Sequence, residues 1–230
     1  MTNGHRSVRY NTVQACEELR AADPVLGRLM NRVGPFTLTL SSQLSPFEAL
    51  SESIVYQQIH GKAAEAILNR LKSHYGSVHP QPEQLLATPE EILRAAGLSA
   101  NKQKALRDLA AKTLDNTVPT LAQIRRMEDR EIIERLVEVR GVGQWTVEML
   151  LIFRLGRPNV LPVTDYGIRK GFALTFQRLS PAKKVEPSDL PKPDVILKRG
   201  KRWQPWSSVA SWYLWRACDL AKAKPSSGRA

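Results

Sequence analysis

The sequence predicts an all-α protein, on three observations. Apolar residues recur at helical spacing through nearly all of the 230 residues. Strand-like alternation is confined to one short run, Phe36-Thr-Leu-Thr-Leu40. Helix-start and helix-stop residues punctuate the chain at intervals that give about ten helices.

Taken in order, Val13 to Met30 reads as one or two amphipathic helices. Ser45-Pro46 then opens a helix through Phe47, Leu50, Ile54 and Val55, with Ser as N-cap and Pro at the first helical position. That helix stops near Gln58-Ile59-His60-Gly61, and the next runs from Lys62 to about Tyr75. Thr88-Pro89-Glu90-Glu91 reads as a capping box for a short helix ending at Gly97. Asn101 to Leu114, Leu121 to Met127, Asp129 to Val139 and Trp145 to Leu155 carry the helical period, as does Tyr166 to Leu179. The Pro- and Lys-rich stretch from Pro181 to Arg202 is expected to be a loop. Ser207 to Lys222 forms the last helix, and residues 223–230 are expected to be a flexible tail.

Composition narrows the class. The chain carries 34 Lys+Arg against 22 Asp+Glu, a formal net charge of +12, which favours a polyanionic partner. Its two cysteines, Cys16 and Cys218, cannot hold an iron–sulfur cluster, which takes four thiolates. No apolar run approaches a membrane span, and the N-terminal ten residues lack the apolar core of a signal peptide. The expectation is a protein of the cytoplasm, or of the nucleus in a eukaryote, with no membrane partner.

The informative stretch is Leu136-Val-Glu-Val-Arg-Gly-Val-Gly-Gln-Trp-Thr-Val-Glu-Met-Leu150, in which a helix ends, a Gly-x-Gly turn follows and a second helix begins. Glycine permits positive φ and close approach of a phosphate to the backbone. The second helix presents amides without acceptors at its start, where anions bind. Alone, such a turn is equally an ordinary helix–helix connection. Asp165, directly before the helix that starts at Tyr166, alone reads as an N-cap.

Gly141-Val142-Gly143-Gln144-Trp145-Thr146 followed by Leu161-Pro162-Val163-Thr164-Asp165 resembles the helix-hairpin-helix (HhH-GPD) DNA glycosylase superfamily, most closely the 3-methyladenine DNA glycosylase II type and its yeast-type relatives. The resemblance runs from about Leu44 to Cys218, and includes Tyr56-Gln57-Gln58-Ile59-His60 and Arg202-Trp203-Gln204-Pro205-Trp206. It implies two helical subdomains flanking a DNA-binding cleft: a central bundle at 45–160, and a second body made of 1–44 with 161–222. The separate N-terminal β domain of the bacterial archetype is expected to be missing.

The resemblance also implies site residues. Asp165, 20 residues after Trp145, takes the place of the catalytic carboxylate. Trp145 stands where bifunctional relatives carry a Schiff-base lysine, which implies a monofunctional enzyme without a lyase step. Trp145, Trp215 and Tyr56 are the base-pocket candidates, with Met149 where the archetype has a tyrosine. Trp203, Trp206, Trp212 and Trp215 are not all expected to line that pocket. Ile59 or His60 would plug the stack vacated by a flipped base. Backbone N–H groups of Gly141, Gly143 and Trp145, with the Thr146 hydroxyl, would hold phosphate. The carbonyls of Val137, Val139 and Val142 match a family site for structural Na⁺ or K⁺, and no other cofactor is implied. Basic residues at 169, 170, 198, 199, 201 and 202 would widen the electrostatic footprint. The implied partner is damaged double-stranded DNA, with the protein a monomer. The implied reaction is excision of alkylated bases such as 3-methyladenine and 7-methylguanine in base excision repair. Two other readings stay open: a non-catalytic DNA-lesion-binding module of the same fold, and a glycosylase for ethenoadenine, hypoxanthine or uracil.

Overall fold

The computed structural model describes residues 6–41, 44–177, 179–180 and 185–222; the tail expected at 223–230 lies outside them. The protein is all-α. The described residues hold thirteen α-helices and one two-residue ladder, in which β1 (Arg6–Ser7) pairs antiparallel with β2 (Thr39–Leu40). Between those strands lie α1 (Thr12–Ala22) and α2 (Pro24–Val33). Eight helices follow: α3 (Pro46–Tyr56), α4 (Gly61–His74), α5 (Pro82–Ala87), α6 (Glu90–Ala95), α7 (Ala100–Leu114), α8 (Leu121–Ile124), α9 (Asp129–Leu136) and α10 (Gln144–Phe153). The chain ends with α11 (Tyr166–Phe176), α12 (Pro193–Gly200) and α13 (Ser207–Lys222). No described helix is long and apolar enough to cross a membrane.

The chain divides into two compact units, Ser42–Leu155 and Met1–Ser41 with Gly156–Ala230. The boundary therefore falls at 155/156 and not at 160. The 156–160 segment is bound to the second unit by local contacts. The Ser208 amide donates to the Pro158 carbonyl, and the Val160 amide donates to Ser208 Oγ, both at 2.9 Å.

In the unit built from α3 to α10, Ser45 is the N-cap that the sequence predicts, and the structure adds a capping box with Glu48. Ser45 Oγ accepts from the Glu48 amide, and the Glu48 carboxylate accepts from the Ser45 amide. The unit's apolar interior includes Leu50, Ile54, Leu71, Leu106, Leu109 and Leu136, each nearly inaccessible to water. Glu52 is the polar centre, paired with Arg154 (2.8 Å), His79 (3.2 Å) and Lys72 (3.5 Å). Burial would raise its carboxyl pKa, but these partners outweigh burial and hold it below the ordinary value. The capping box expected at Thr88 does not form. Thr88 instead closes α5, donating from Oγ1 to the Gln84 carbonyl and meeting the Tyr75 hydroxyl, and α6 starts at Glu90 after Pro89.

In the other unit, α11 lies against α13. Gly171 marks their closest approach: a Cβ there would overlap the Leu214 carbonyl and come within 2.7 Å of its carbon. Asp23, wholly buried, caps α2 through the Val25 and Leu26 amides. It also receives both Nε and Nη2 of Arg199 (2.8 and 2.7 Å) and the Trp203 indole N–H (3.0 Å). Those two partners come from α12 and the 3₁₀ turn after it, so the expectation of a loop from 181 to 202 is overturned for 193–202. The helix signal was present, with Pro193 at the first helical position and Asp194 in the first turn. The surrounding prolines and lysines masked it.

Two outcomes follow from this packing. Gly171→Ala forces α11 and α13 apart, and overpacking against backbone costs about 3 kcal/mol; thermal unfolding checks it, with Tm falling by roughly 5–10 °C. Burial raises the Asp23 carboxyl, but the bonds from Arg199, Trp203 and the Leu26 amide outweigh burial and keep it below the ordinary carboxylate range. A depressed carboxylate stabilises the fold above the unfolded pKa and loses that contribution as pH falls through the folded value. Asp23→Asn therefore destabilises by about 3 kcal/mol at neutral pH, where the wild-type pair is intact. The gap to wild type narrows below about pH 4, as denaturant unfolding across that range would show.

Candidate active site and nucleic-acid interface

Asp165 is held by the start of α11. Its backbone is extended (φ −64°, ψ 131°), and Oδ1 accepts the Ile168 amide at 2.8 Å, so it is the N-cap that its position allows. The same oxygen accepts a second bond, from the indole Nε1 of Trp215 on α13, also at 2.8 Å. The structure thus brings Asp165 and Trp215 together, fifty positions apart in the chain. Gly167 leaves the space for this contact: a Cβ there would lie 2.7 Å from Trp215 Cδ1 and 3.1 Å from Asp165 Oδ1. Trp215 is half-buried, whereas its three neighbours in sequence serve packing or capping. Trp203 is inaccessible and bonded to Asp23, Trp212 sits edge-on to Phe36 and Tyr213, and Trp206 donates to Glu18.

The second group of candidates lies in the other unit. Between α9 and α10 the hairpin closes through the Val142 amide to the Val139 carbonyl, 3.0 Å, with Gly141 at φ +77°. Positive φ makes glycine the fitting residue there, and a Cβ would meet the Ala105 methyl of α7 only at ordinary contact distance, 3.5 Å. Gly143 is the N-cap of α10, and the first amides of that helix to find intrahelical acceptors belong to Thr146 and Val147, both bonding to the Gly143 carbonyl. Gly141, Gly143, Gln144 and Trp145 are exposed, Trp145 by 46%. Thr146 is buried on the inner side of α10, so its hydroxyl does not stand on the exposed rim where a phosphate would meet it. Met149 is half-buried on the same helix.

The hairpin is anchored from three directions. Asp108 Oδ2 on α7 accepts the Arg140 amide at 2.7 Å and the Lys112 ammonium at 3.1 Å. Lys112 also donates to the Glu138 carbonyl. Gln57, just past α3, donates from Nε2 to the Gly141 carbonyl at 2.9 Å. Gln57 thereby sets the 56–60 segment beside the hairpin. Tyr56 ends α3 and is 41% exposed; Gln58 takes positive φ (59°); Ile59 and His60 are exposed, His60 at the head of α4. Lys102 reinforces the turn by donating to the Val55 carbonyl at 2.6 Å. Burial, then Glu65 and Glu52, raise the Tyr56 phenol and keep it protonated at neutral pH.

The residues offered for an alkali ion are main-chain carbonyls, the donors that hard cations take. The Val139 oxygen uses one lone pair on the Val142 amide, and a carbonyl has two, so one remains for a further partner. Of the basic residues expected to broaden the footprint, two are committed elsewhere. Arg169 donates to the Leu190 and Pro191 carbonyls, and Arg199 pairs with Asp23 and lies 3.9 Å from the centre of the Phe176 ring. Lys198, Lys201 and Arg202 are exposed.

Sequence reasoning missed Gly167, Gln57 and Asp108. Gly167 carried a signal, because Gly167-Ile-Arg-Lys-Gly171 puts two costly glycines one turn apart inside a helix. Gln57 and Asp108 carried none, since an amide or carboxylate on a half-exposed helix surface is ordinary.

Residues 52–190 match the model of the HhH-GPD superfamily of base excision DNA repair proteins. The chain belongs to that superfamily. It is 38% identical over 196 residues to DNA-3-methyladenine glycosylase 1 of Schizosaccharomyces pombe, spanning 84% of this chain and 82% of the relative. Among solved structures it resembles a Schizosaccharomyces pombe 3-methyladenine DNA glycosylase in complex with abasic DNA. The TM-score is 0.77 at 37% identity, over 92% of this chain and 99% of the other. A DNA-3-methyladenine glycosidase from Bacillus halodurans superposes with a TM-score of 0.79 at 30% identity, over 95% and 94%.

The anchoring of the hairpin is open to direct measurement. Asp108→Ala removes the acceptor shared by the Arg140 amide and Lys112, and a bond to a charged group is worth about 1.5 kcal/mol or more. Hydrogen exchange at residues 140–143 accelerates by about tenfold, with amides at the centre of α7 unaffected.

Proposed function

We propose that the chain is a monofunctional DNA glycosylase that removes alkylated bases, 3-methyladenine and 7-methylguanine among them, from double-stranded DNA in base excision repair. The observation that carries this reading is Asp165: a carboxylate fixed by a helix amide and by Trp215, in a chain of the superfamily whose similar relatives are named for 3-methyladenine excision. The absence of a lysine at position 145 supports hydrolysis without a lyase step, since Trp145 offers no amine to attack the sugar.

The chemistry follows from charge. As the bond from C1′ to the base nitrogen breaks, its electron pair leaves with the base and the sugar gains oxocarbenium character. The Asp165 carboxylate stabilises that developing positive charge. Water then adds its oxygen to C1′ and gives up a proton, which Asp165 is suited to accept. A 3-methylated adenine is cationic before cleavage and leaves as a neutral molecule, so a general acid is not required. Aromatic faces bind such a cation, a role assigned to Trp145, Trp215 and Tyr56 with Met149. Ile59 or His60 fills the vacated stack, and the backbone amides of Gly141, Gly143 and Trp145 take phosphate. Val137, Val139 and Val142 would hold Na⁺ or K⁺, whose charge would favour a phosphate at the hairpin. We assign the protein to work as a monomer on chromosomal DNA, in the bacterial cytoplasm or a eukaryotic nucleus.

Asp165→Asn tests the proposal. On methylated duplex DNA the wild type releases free 3-methyladenine, seen by chromatography, and the variant is slower by about 100-fold or more while still binding DNA. Equal release by both forms would remove Asp165 from the mechanism. Binding without release by either would leave a lesion-binding module. Borohydride treatment during turnover yields no protein–DNA adduct, and a trapped adduct would contradict the monofunctional assignment.

A further inference from the structure

We infer that Trp215 is a positioning residue for Asp165: its indole N–H, together with the Ile168 amide, pins carboxylate oxygen Oδ1 and so fixes which way the ionised group faces. The inference rests on the glycosylase reading above but assigns Trp215 a second task, separate from offering its ring to a base. Three observations on different elements carry it. The N–H of Trp215 and the amide of Ile168 converge on one oxygen, each at 2.8 Å, one donor from α13 and one from the first turn of α11. Position 167, between them, has no side chain, and any Cβ there would press on both the indole and Oδ1. One turn on, Gly171 lets α11 descend onto the Leu214 backbone, next to Trp215, which sets the depth at which the indole meets the acid.

The consequences are electrostatic and geometric. Two donors on Oδ1 occupy both lone pairs of that oxygen and leave Oδ2 to face the reacting carbon. They also remove rotation about the side-chain bond, so the group is preorganised before substrate arrives. An indole is well suited to the task, being a donor only, rigid, and unable to titrate or compete for the proton. Cys218 on α13 donates to the Gly167 carbonyl at 3.4 Å, and burial, the first of several influences, raises its thiol and keeps it neutral. Lys170 on α11, with Asp219 and Lys222 on α13, acts on that thiol.

The experiment separates this role from packing and from the parent reading. Trp215→Phe keeps an aromatic face and loses only the donor; Gly167→Ala keeps the donor and displaces it. Carboxyl-¹³C aspartate labelling follows the Asp165 carboxylate itself at neutral pH, its resonance identified with Asp165→Asn. In both variants that resonance moves, as the loss or displacement of a donor to one of its oxygens requires. Single-turnover release of 7-methylguanine slows by about tenfold, and affinity for abasic duplex DNA stays within about threefold. An Asp165 resonance unchanged in Trp215→Phe would overturn the inference and leave Trp215 as a wall of the pocket. Should the wild type release no base, the glycosylase reading fails, and the carboxylate resonance still decides the positioning role. Should Gly167→Ala unfold, Trp215→Phe, which adds no atom to the interface, decides alone.

Discussion

At Gly171 the backbones of α11 and α13 meet with no side chain between them, and the position of the proposed catalytic acid depends on that closeness. Where most helix pairs are held 8–10 Å apart by their side chains, Gly171 lets the backbone of one helix rest on the carbonyl of Leu214 in the other. Gly167 repeats the device one turn earlier, and the space it leaves is occupied by the contact between Trp215 and Asp165. Glycine weakens a helix by about 1 kcal/mol at each interior position. Here that loss is exchanged for a carboxylate whose orientation is set by two rigid elements. The rest of the unit keeps those elements in place. Asp23 links α2 to α12 and the following turn through Arg199 and Trp203, and Ser208 secures the 156–160 segment that leads towards Asp165.

The hairpin is built on another principle. Beyond the Val142 amide that closes the turn, a hairpin that offers the amides of its glycines to a phosphate cannot also spend those on its own structure, so the rest of its rigidity comes from its carbonyls and from outside. The pattern of bonds agrees with that requirement. Gln57 holds the Gly141 carbonyl, Lys112 the Glu138 carbonyl, and Asp108 the amide of Arg140, just before the glycines. The exposed face of the turn is left to Gly141, Gly143, Gln144 and Trp145. Gln57 also ties the Tyr56–His60 segment to the hairpin, so that the two surfaces proposed to touch DNA within this unit are bonded to each other.

Helix periodicity and caps made most of the fold legible in the sequence, because the apolar stripe of each helix is a local property. Ser45-Pro46 opens α3 as its chemistry dictates, and Asp165 caps α11 from the position where a cap was expected. The failures are local signals overruled by neighbours. Thr88 has the makings of an N-cap, yet α5 and Tyr75 engage its hydroxyl first. The 193–200 stretch looks like a loop by composition, yet Ile196 is buried and Arg199 has a carboxylate to reach. Thr146 reads as a surface hydroxyl and is turned inward by the helical phase of α10.

The sequence by itself determined the class of the molecule and the chemistry at its disposal. A basic all-helical chain, a Gly-x-Gly turn and an acid 20 residues after Trp145 are properties of spacing, and spacing survives without coordinates. Tertiary structure decided which of four clustered tryptophans meets that acid, which arginines are tied up in the interior, and which oxygen of the carboxylate is pinned. Those outcomes depend on the depth at which two helices approach. That depth is set by the atoms missing at Gly167 and Gly171, and a residue's neighbours across an interface have no fixed distance from it along the chain.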